Sequence, residues 1–320
     1  MPLGKLVIVA GMHRAGTSAI TGVLEGLGVR LGDSLAEAQE GINDMGYKED
    51  NDVISLHEDL LWNLPSAWDD IFLVSYAKAA QPKLFEAQKR IDSILANYLR
   101  KGPLCAVKDP RICLFLPLWL DACERLDIEP LVLIPSRHPQ AVAQSLYTRD
   151  GIFDGRAKLL WIKYFLAVER CSRTTPRRFL SYERLLESPE DVIEELICFL
   201  DVSVSIEDRE KARDFLSPSL NRSQKLVHKS QQLDWINECS VFLYQCMKQR
   251  ATLTDEEFES RFERVEQKYA TYLKNIDPIM TDQCKYNMAH AENFRQYWQD
   301  ALNSKTFKII EPLRRIFSKR

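Results

Sequence analysis

The sequence predicts an α/β fold, in which a P-loop-like parallel β-sheet flanked by helices is followed by an α-helical C-terminal extension. Three observations predict it. Short apolar runs alternate with stretches of helical periodicity, a glycine loop follows the first run, and the strand signal stops after about residue 220. The four predicted strands are residues 6–10, 104–107, 131–134 and 179–182.

The first predicted strand leads directly into a glycine loop, Gly-Met-His-Arg-Ala-Gly-Thr-Ser, at residues 11–18. Gly11 and Gly16 have the spacing of the nucleotide-triphosphate P-loop, but Thr17 stands where that loop has its lysine. The following helix directs unpaired amides and its positive dipole end at the loop, and Arg14 adds a cation. The loop is predicted to bind phosphate without handling a γ-phosphoryl group; the alternative is a plain strand-to-helix turn.

Polar residues follow the other predicted strands as well, at 108–111, 136–138 and 183–184. Ligands of parallel sheets collect at the carboxyl ends of the strands, so we expect these residues near the glycine loop. A long insertion at about residues 30–100 carries aromatic and acidic side chains, Trp68 among them. These side chains suit an acceptor pocket, and they suit ordinary core packing equally well.

The composition bounds the class of protein. The chain has 320 residues and a net charge of −3, so no overall basic excess indicates nucleic-acid binding. The eight cysteines are scattered without a C-x-x-C pair, which fits reduced thiols in a cytoplasm. No stretch approaches the ~18 apolar residues of a membrane span, and no metal-ligand spacing is evident. We therefore expect a cytoplasmic protein without a transmembrane segment or a metal.

The chain is predicted to divide into a domain at residues 1–220 and a helical extension at residues 221–320. Thr254 and Glu257 form a capping box at the start of one extension helix. The final segment, 305–320, has six basic residues and one acidic residue among apolar ones. This tail is expected to dock on the domain or a partner or to serve as a linker, with peripheral contact to an anionic membrane as the alternative.

The chain carries four motifs in order, at residues 11–18, 107–111, 136–139 with Ser145, and 181–186 with Pro189. In this combination they resemble the sulfotransferase superfamily, and in particular bacterial sulfotransferase-family proteins with an R-x-G-T-S loop. The resemblance covers about residues 4–201. The tail segment 304–315 also resembles a segment that follows such domains in bacterial glycan-modifying proteins.

The resemblance implies 3′-phosphoadenosine 5′-phosphosulfate (PAPS) as the sulfuryl donor. Transfer of a sulfuryl group involves no γ-phosphate and normally no Mg²⁺, which accounts for the missing lysine. By this resemblance the loop holds the 5′-phosphosulfate, Arg137 and Ser145 hold the 3′-phosphate, and Tyr182 lies near the adenine. The residues implied in donor binding are Arg14, Ala15, Gly16, Thr17, Ser18, Arg137, Ser145 and Tyr182.

The resemblance also implies catalytic residues. Lys108 matches a family lysine after the second strand, and together with Arg14 it is expected to stabilise the leaving group. Many cytosolic relatives place a histidine base two residues after that lysine, where this chain has Pro110. The general base therefore has to be sought elsewhere.

Three residues are candidates for the base. Glu49 is slightly favoured, because some relatives use a glutamate from the region after the loop. Asp109 lies at the right strand end, although an internal ion pair with Arg111 is the alternative reading of its position. His57 is the third candidate.

The sequence thus predicts a PAPS-dependent sulfotransferase that transfers a sulfuryl group to a hydroxyl acceptor, with a carbohydrate or glycolipid expected by family analogy. Two alternatives stay open. One is a P-loop kinase or NTPase that uses Mg-ATP, with Asp109 holding Mg²⁺. The other is a non-catalytic nucleotide-binding adaptor that uses the helical tail. The sequence does not indicate the oligomeric state.

Overall fold

The computed structural model describes residues 2–37, 46–64, 66–74, 80–216 and 234–277. It confirms the predicted α/β class, with a four-stranded parallel sheet and helices packed on it. The predicted domain boundary near residue 220 and the basic tail at 305–320 lie outside the described residues. Within the described residues, no helix has the length and apolar character that crossing a membrane requires.

All four strands pair in parallel, in the order β2-β1-β3-β4. Each starts and ends within three residues of its predicted bounds, because the apolar runs that define the strands are local in sequence. In the register of the central strand, Val9 lies opposite Lys108 on one side and Leu133 on the other. The strands are β1 (Gly4–Val9), β2 (Leu104–Lys108), β3 (Ile128–Ser136) and β4 (Arg177–Ser181).

Helices connect the strands and continue beyond them. The long connection from β1 to β2 contains three helices, and single-helix or two-helix connections follow. A short 3₁₀ helix (Arg250–Thr252) precedes a helix at residues 255–277. The other helices are α1 (Thr17–Gly26), α2 (Asn51–Asn63), α3 (Gln81–Leu99), α4 (Ile112–Arg125), α5 (Pro139–Asp150), α6 (Asp154–Cys171), α7 (Tyr182–Glu187), α8 (Pro189–Leu200), α9 (Ile206–Asp214) and α10 (Asp234–Lys248).

The core lies on both faces of the sheet. On one face, side chains of α1, α8 and α9 pack against alternate residues of β1 and β3, such as Val7 and Leu131. The intervening residues, such as Ile8, are equally buried, and α4 contacts both β3 and α6. Trp119 of α4 and Trp161 of α6 are completely buried. Each fully buried large apolar side chain contributes about 1.5–3 kcal/mol to folding.

The strand order determines where a ligand can sit. From β1 the chain passes to β2 on one side of it, whereas β3 and then β4 lie on the other side. The order therefore reverses between β1 and β3, and their carboxyl ends open a crevice at that edge of the sheet. The glycine loop after β1 and Arg137 after β3 both lie at this crevice.

Two compact units are distinguished, Met1–Val265 and Glu266–Arg320. Helix α10 belongs to the first unit, where it contacts α6 and β4, so part of the predicted extension packs with the sheet domain. The predicted capping box is confirmed: Thr254 N donates to Glu257 Oε2 (3.0 Å) and Glu257 N donates to Thr254 Oγ1 (3.2 Å).

Candidate active site

The glycine loop bends sharply between β1 and α1. Arg14 and Gly16 both have positive φ, 67° and 92° respectively. A Cβ at Gly16 would lie 2.5 Å from Cδ2 of Tyr182, so only glycine fits against this ring. The amide of Ala15 already donates to Met12 O (3.1 Å), so this predicted donor-binding amide is engaged within the loop. Thr17 is the first residue of α1 and is buried.

Five of the predicted donor-binding residues lie together at the crevice. Arg14 Nε donates to Ser145 Oγ at 2.7 Å, which joins the loop to α5. The Arg137 guanidinium lies 4.7 Å from the centroid of the Tyr182 ring, and that ring packs against Gly16. These contacts connect the loop after β1 with the residues that follow β3 and β4, and the Arg14–Ser145 bond spans 131 positions of the sequence.

Positive charge is concentrated around Arg14. Burial lowers the pKa of Arg14, and the charges of Arg149 and Arg137 lower it further. Burial also lowers the pKa of Arg137. Because an arginine stays protonated in proteins, these partly desolvated guanidinium groups favour binding of an anion.

Lys108 links the loop to the favoured base. Its ammonium donates to Glu49 Oε1 (2.5 Å), to Tyr47 O (2.8 Å) and to Ser18 Oγ (3.2 Å). The Lys108 side chain is 2% exposed and that of Glu49 is 12% exposed. The structure therefore brings together three residues that the sequence analysis placed in donor binding and catalysis, around one buried ammonium.

Asp109 is in the internal ion pair that the sequence analysis named as the alternative. It is completely buried, and its carboxylate accepts from Arg111 N (2.7 Å), Nε (2.9 Å) and Nη2 (2.6 Å). Burial acts to raise the pKa of Asp109, but His57 and Arg111 outweigh it, so the pKa lies well below the ordinary range. Asp109 can act as a base or as a Mg²⁺ ligand only if this ion pair with Arg111 is broken.

His57 lies in the core beside Asp109. It is completely buried; Nδ1 is 3.3 Å from Asp109 Oδ1, and Nε2 accepts from Trp119 Nε1 at 3.0 Å. Its ring also stacks on Phe115, with centroids 5.3 Å apart. These contacts enclose the imidazole in the core, where it helps to position the Asp109–Arg111 pair.

His13, which the sequence analysis did not single out, is a further polar residue of the loop. Its ring centroid lies 4.5 Å from that of Trp68 and 6.1 Å from that of Tyr164. Nε2 is buried without a hydrogen-bond partner in the described part of the protein, a state that costs roughly 1–3 kcal/mol. Burial, followed by the charge of Arg149, lowers the pKa of His13 well below its usual value.

Tyr244 on α10 is another residue that the sequence did not indicate. Its hydroxyl donates to Glu183 Oε2 at 2.7 Å, while Glu183 Oε1 accepts from His138 N at 3.0 Å. Burial and the bond to Glu183 raise the pKa of Tyr244. Helix α10 thus supplies a side chain next to the residues that follow β3.

No protein-family model and no curated protein matches the chain. Among solved structures, it is similar to the sulfotransferase domain of the Synechococcus PCC 7002 olefin synthase, with 16% identity, a TM-score of 0.48, and coverage of 76% of this chain and 95% of that one. The sulfotransferase domain from the curacin biosynthetic pathway has 16% identity, a TM-score of 0.45 and coverage of 77% and 98%. A Mycobacterium avium sulfotransferase has 17% identity, a TM-score of 0.44 and coverage of 87% and 78%. These are likenesses of fold alone.

Proposed function

We propose that this protein is an enzyme that transfers a sulfuryl group from PAPS to a hydroxyl acceptor. The observation that carries the proposal is the hydrogen bond from Arg14 to Ser145, with Arg137 beside it at the same crevice. The bond joins the loop after β1 to α5, the helix that follows Arg137, so that one basic position after β1 and one after β3 lie at the same crevice. A donor with phosphate groups at both the 5′ and the 3′ position of one ribose needs two such positions.

The residues present fit that donor. Gly16 lacks a Cβ where the loop turns against Tyr182, and the partly desolvated guanidinium groups of Arg14 and Arg137 favour anions. In this assignment Arg14, Thr17 and Ser18 hold the 5′-phosphosulfate, and Arg137 with Ser145 holds the 3′-phosphate. PAPS supplies an activated sulfuryl group whose leaving group is adenosine 3′,5′-bisphosphate.

The arrangement around Lys108 provides for the chemistry. The acceptor oxygen forms a bond to sulfur as the bond from sulfur to the bridging phosphate oxygen breaks, and the hydroxyl proton moves to Glu49. Lys108 and Arg14 supply positive charge where the leaving oxygen gains negative charge. Because the Lys108 ammonium contacts both Ser18 and Glu49, it fixes Glu49, the proposed base, relative to the glycine loop.

For the acceptor we propose a carbohydrate or glycolipid hydroxyl, and for the compartment the cytoplasm; both rest on the sequence resemblance and cysteine usage. A kinase reading is less well supported. Thr17 replaces the lysine that reaches the β and γ phosphates, and the carboxylate of Asp109 accepts hydrogen bonds from three donor groups of Arg111, namely N, Nε and Nη2.

Substitution of Arg137 by alanine tests the donor assignment. We expect R137A to weaken binding of adenosine 3′,5′-bisphosphate about 10- to 100-fold, the range for loss of a charged hydrogen bond. AMP binding should change little, because AMP lacks the phosphate that Arg137 neutralises. Isothermal titration calorimetry with the bisphosphate, AMP and Mg-ATP provides the measurement.

Arg178 offers a matched control, since it also lies over an aromatic ring (Phe199, 4.9 Å) but is exposed on β4. R178A should bind all three nucleotides as the wild type does. Equal losses of bisphosphate and AMP affinity in R137A would contradict the 3′-phosphate assignment. Tighter wild-type binding of Mg-ATP than of the bisphosphate would overturn the proposed function.

A further inference from the structure

Three side chains of α6 hold an irregular segment, residues 66–72, in place. Tyr164 Oη donates to Trp68 O (2.9 Å), Lys163 Nζ donates to Asp70 O (2.6 Å), and Arg156 Nη2 donates to Asp69 O (2.9 Å). Lys163 and Tyr164 are completely buried. Burial lowers the pKa of Lys163 to about 8. Desolvating an ammonium is costly, yet here it serves to fix a backbone carbonyl of a connecting segment.

This segment places Trp68 against the glycine loop. The Trp68 indole is only partly buried, lies 4.5 Å from the His13 ring between centroids, and has the Arg149 guanidinium 5.7 Å from its centroid. His13 directly precedes Arg14, so the Trp68 and His13 rings lie next to the position proposed for the phosphosulfate. Nε2 of His13 has no hydrogen-bond partner among the described residues.

We propose that Trp68 and His13 form the acceptor subsite, in which a sugar ring packs against the indole and His13 Nε2 hydrogen-bonds a hydroxyl next to the one that reacts. This inference rests on the proposed function. The exposed part of the indole offers an apolar surface to the C–H groups of a pyranose. A single polar group set beside an apolar wall is the usual means of fixing a ligand's orientation.

The protonation state of His13 suits this role. Burial and the neighbouring charge of Arg149, with smaller contributions from Arg111 and Lys108, lower its pKa, whereas Asp109 acts in the opposite direction. The imidazole is therefore neutral near pH 7 and can accept or donate a hydrogen bond. Glu49 stays the proposed base, so His13 acts on acceptor binding, not on the proton transfer.

Binding of three probes tests the subsite: the 4-nitrophenyl glycosides of β-glucose, β-galactose and α-mannose, each titrated with adenosine 3′,5′-bisphosphate present. We expect at least one to bind the wild type with millimolar affinity or better. W68A should weaken that binding about tenfold or more, and W68F by less than about threefold, since phenylalanine retains an aromatic face. H13Q should weaken it about three- to tenfold.

Trp62, which is 85% exposed on α2, is the matched control, and W62A should bind the probe as the wild type does. All variants should bind the bisphosphate normally. Failure of all three glycosides to bind the wild type, or equal affinities for W68A and W62A, would overturn the inference while leaving the donor site intact. Loss of bisphosphate affinity in W68A or H13Q would place these residues in the donor site instead. Failure of the wild type to bind the bisphosphate would count against the proposed function itself.

Discussion

Replacement of Glu49 by glutamine is expected to lower kcat for sulfuryl transfer about 10²- to 10⁴-fold, the usual contribution of a positioned base. Glutamine preserves the shape of the side chain and can still accept the hydrogen bond from Lys108, but it cannot take the proton of the acceptor hydroxyl. The measurement is transfer of radiolabelled sulfate from PAPS to the hydroxyl compound that the wild type uses best. The dissociation constant of adenosine 3′,5′-bisphosphate should stay unchanged.

The matched control is Glu25→Gln, which removes the carboxylate of a comparable but more exposed pair, Lys48–Glu25 at 2.7 Å. E25Q should retain the wild-type kcat. If E49Q kept more than about a third of the wild-type kcat, Glu49 would be a structural partner of Lys108 and the base would lie elsewhere. An unchanged kcat with a raised KM would assign Glu49 to acceptor binding.

The fold class could be predicted because its signals are local. Each strand contains a short apolar run, and in β1, β2 and β3 that run is buried, so all four strands are indicated by their own residues. The parallel arrangement also predicts that residues after the strands meet at one edge of the sheet. That is why Arg14, Lys108 and Arg137 could be selected without knowledge of the contacts between them.

The partners of those residues could not be predicted in the same way, because they are set by packing between distant segments. The Lys108–Glu49 pair spans 59 positions and the Tyr244–Glu183 bond spans 61. Nothing local distinguishes Tyr244 from the other aromatic residues of α10. Nothing local marks His13 in the loop either, because its significance comes from contact with Trp68, 55 positions along the chain.

Asp109 shows most clearly what the sequence leaves open, because its position at the end of β2 is equally compatible with a base, a metal ligand and an ion pair.

Substitution of Asp109 by asparagine separates these roles. We expect D109N to lower the free energy of unfolding by about 3–5 kcal/mol, since it leaves the Arg111 guanidinium without its buried partner. The Arg111 side chain is 9% exposed and that of Asp109 is fully buried. Urea denaturation provides the measurement.

Asp59→Asn is the control for this change, because it removes the carboxylate of an exposed pair with Arg90, in which the side chains are 61% and 36% exposed. That variant should lose no more than about 1 kcal/mol. If D109N were as stable as D59N while kcat collapsed, Asp109 would be a catalytic group and the assignment of the base to Glu49 would have to be abandoned.

The pH dependence of the stability difference between the wild type and D109N provides a second check. The folded-state pKa of Asp109 lies below its unfolded value, which is about 3.9 for an ordinary aspartate. The carboxylate therefore stabilises the fold fully above that pH, and its contribution decreases as the pH falls toward the folded-state pKa. The stability difference between the wild type and D109N should thus be constant from pH 7 to about pH 5 and should narrow below about pH 4. If the stability difference instead widened on acidification, Asp109 would be protonated in the folded protein. It would then not form the ion pair with Arg111.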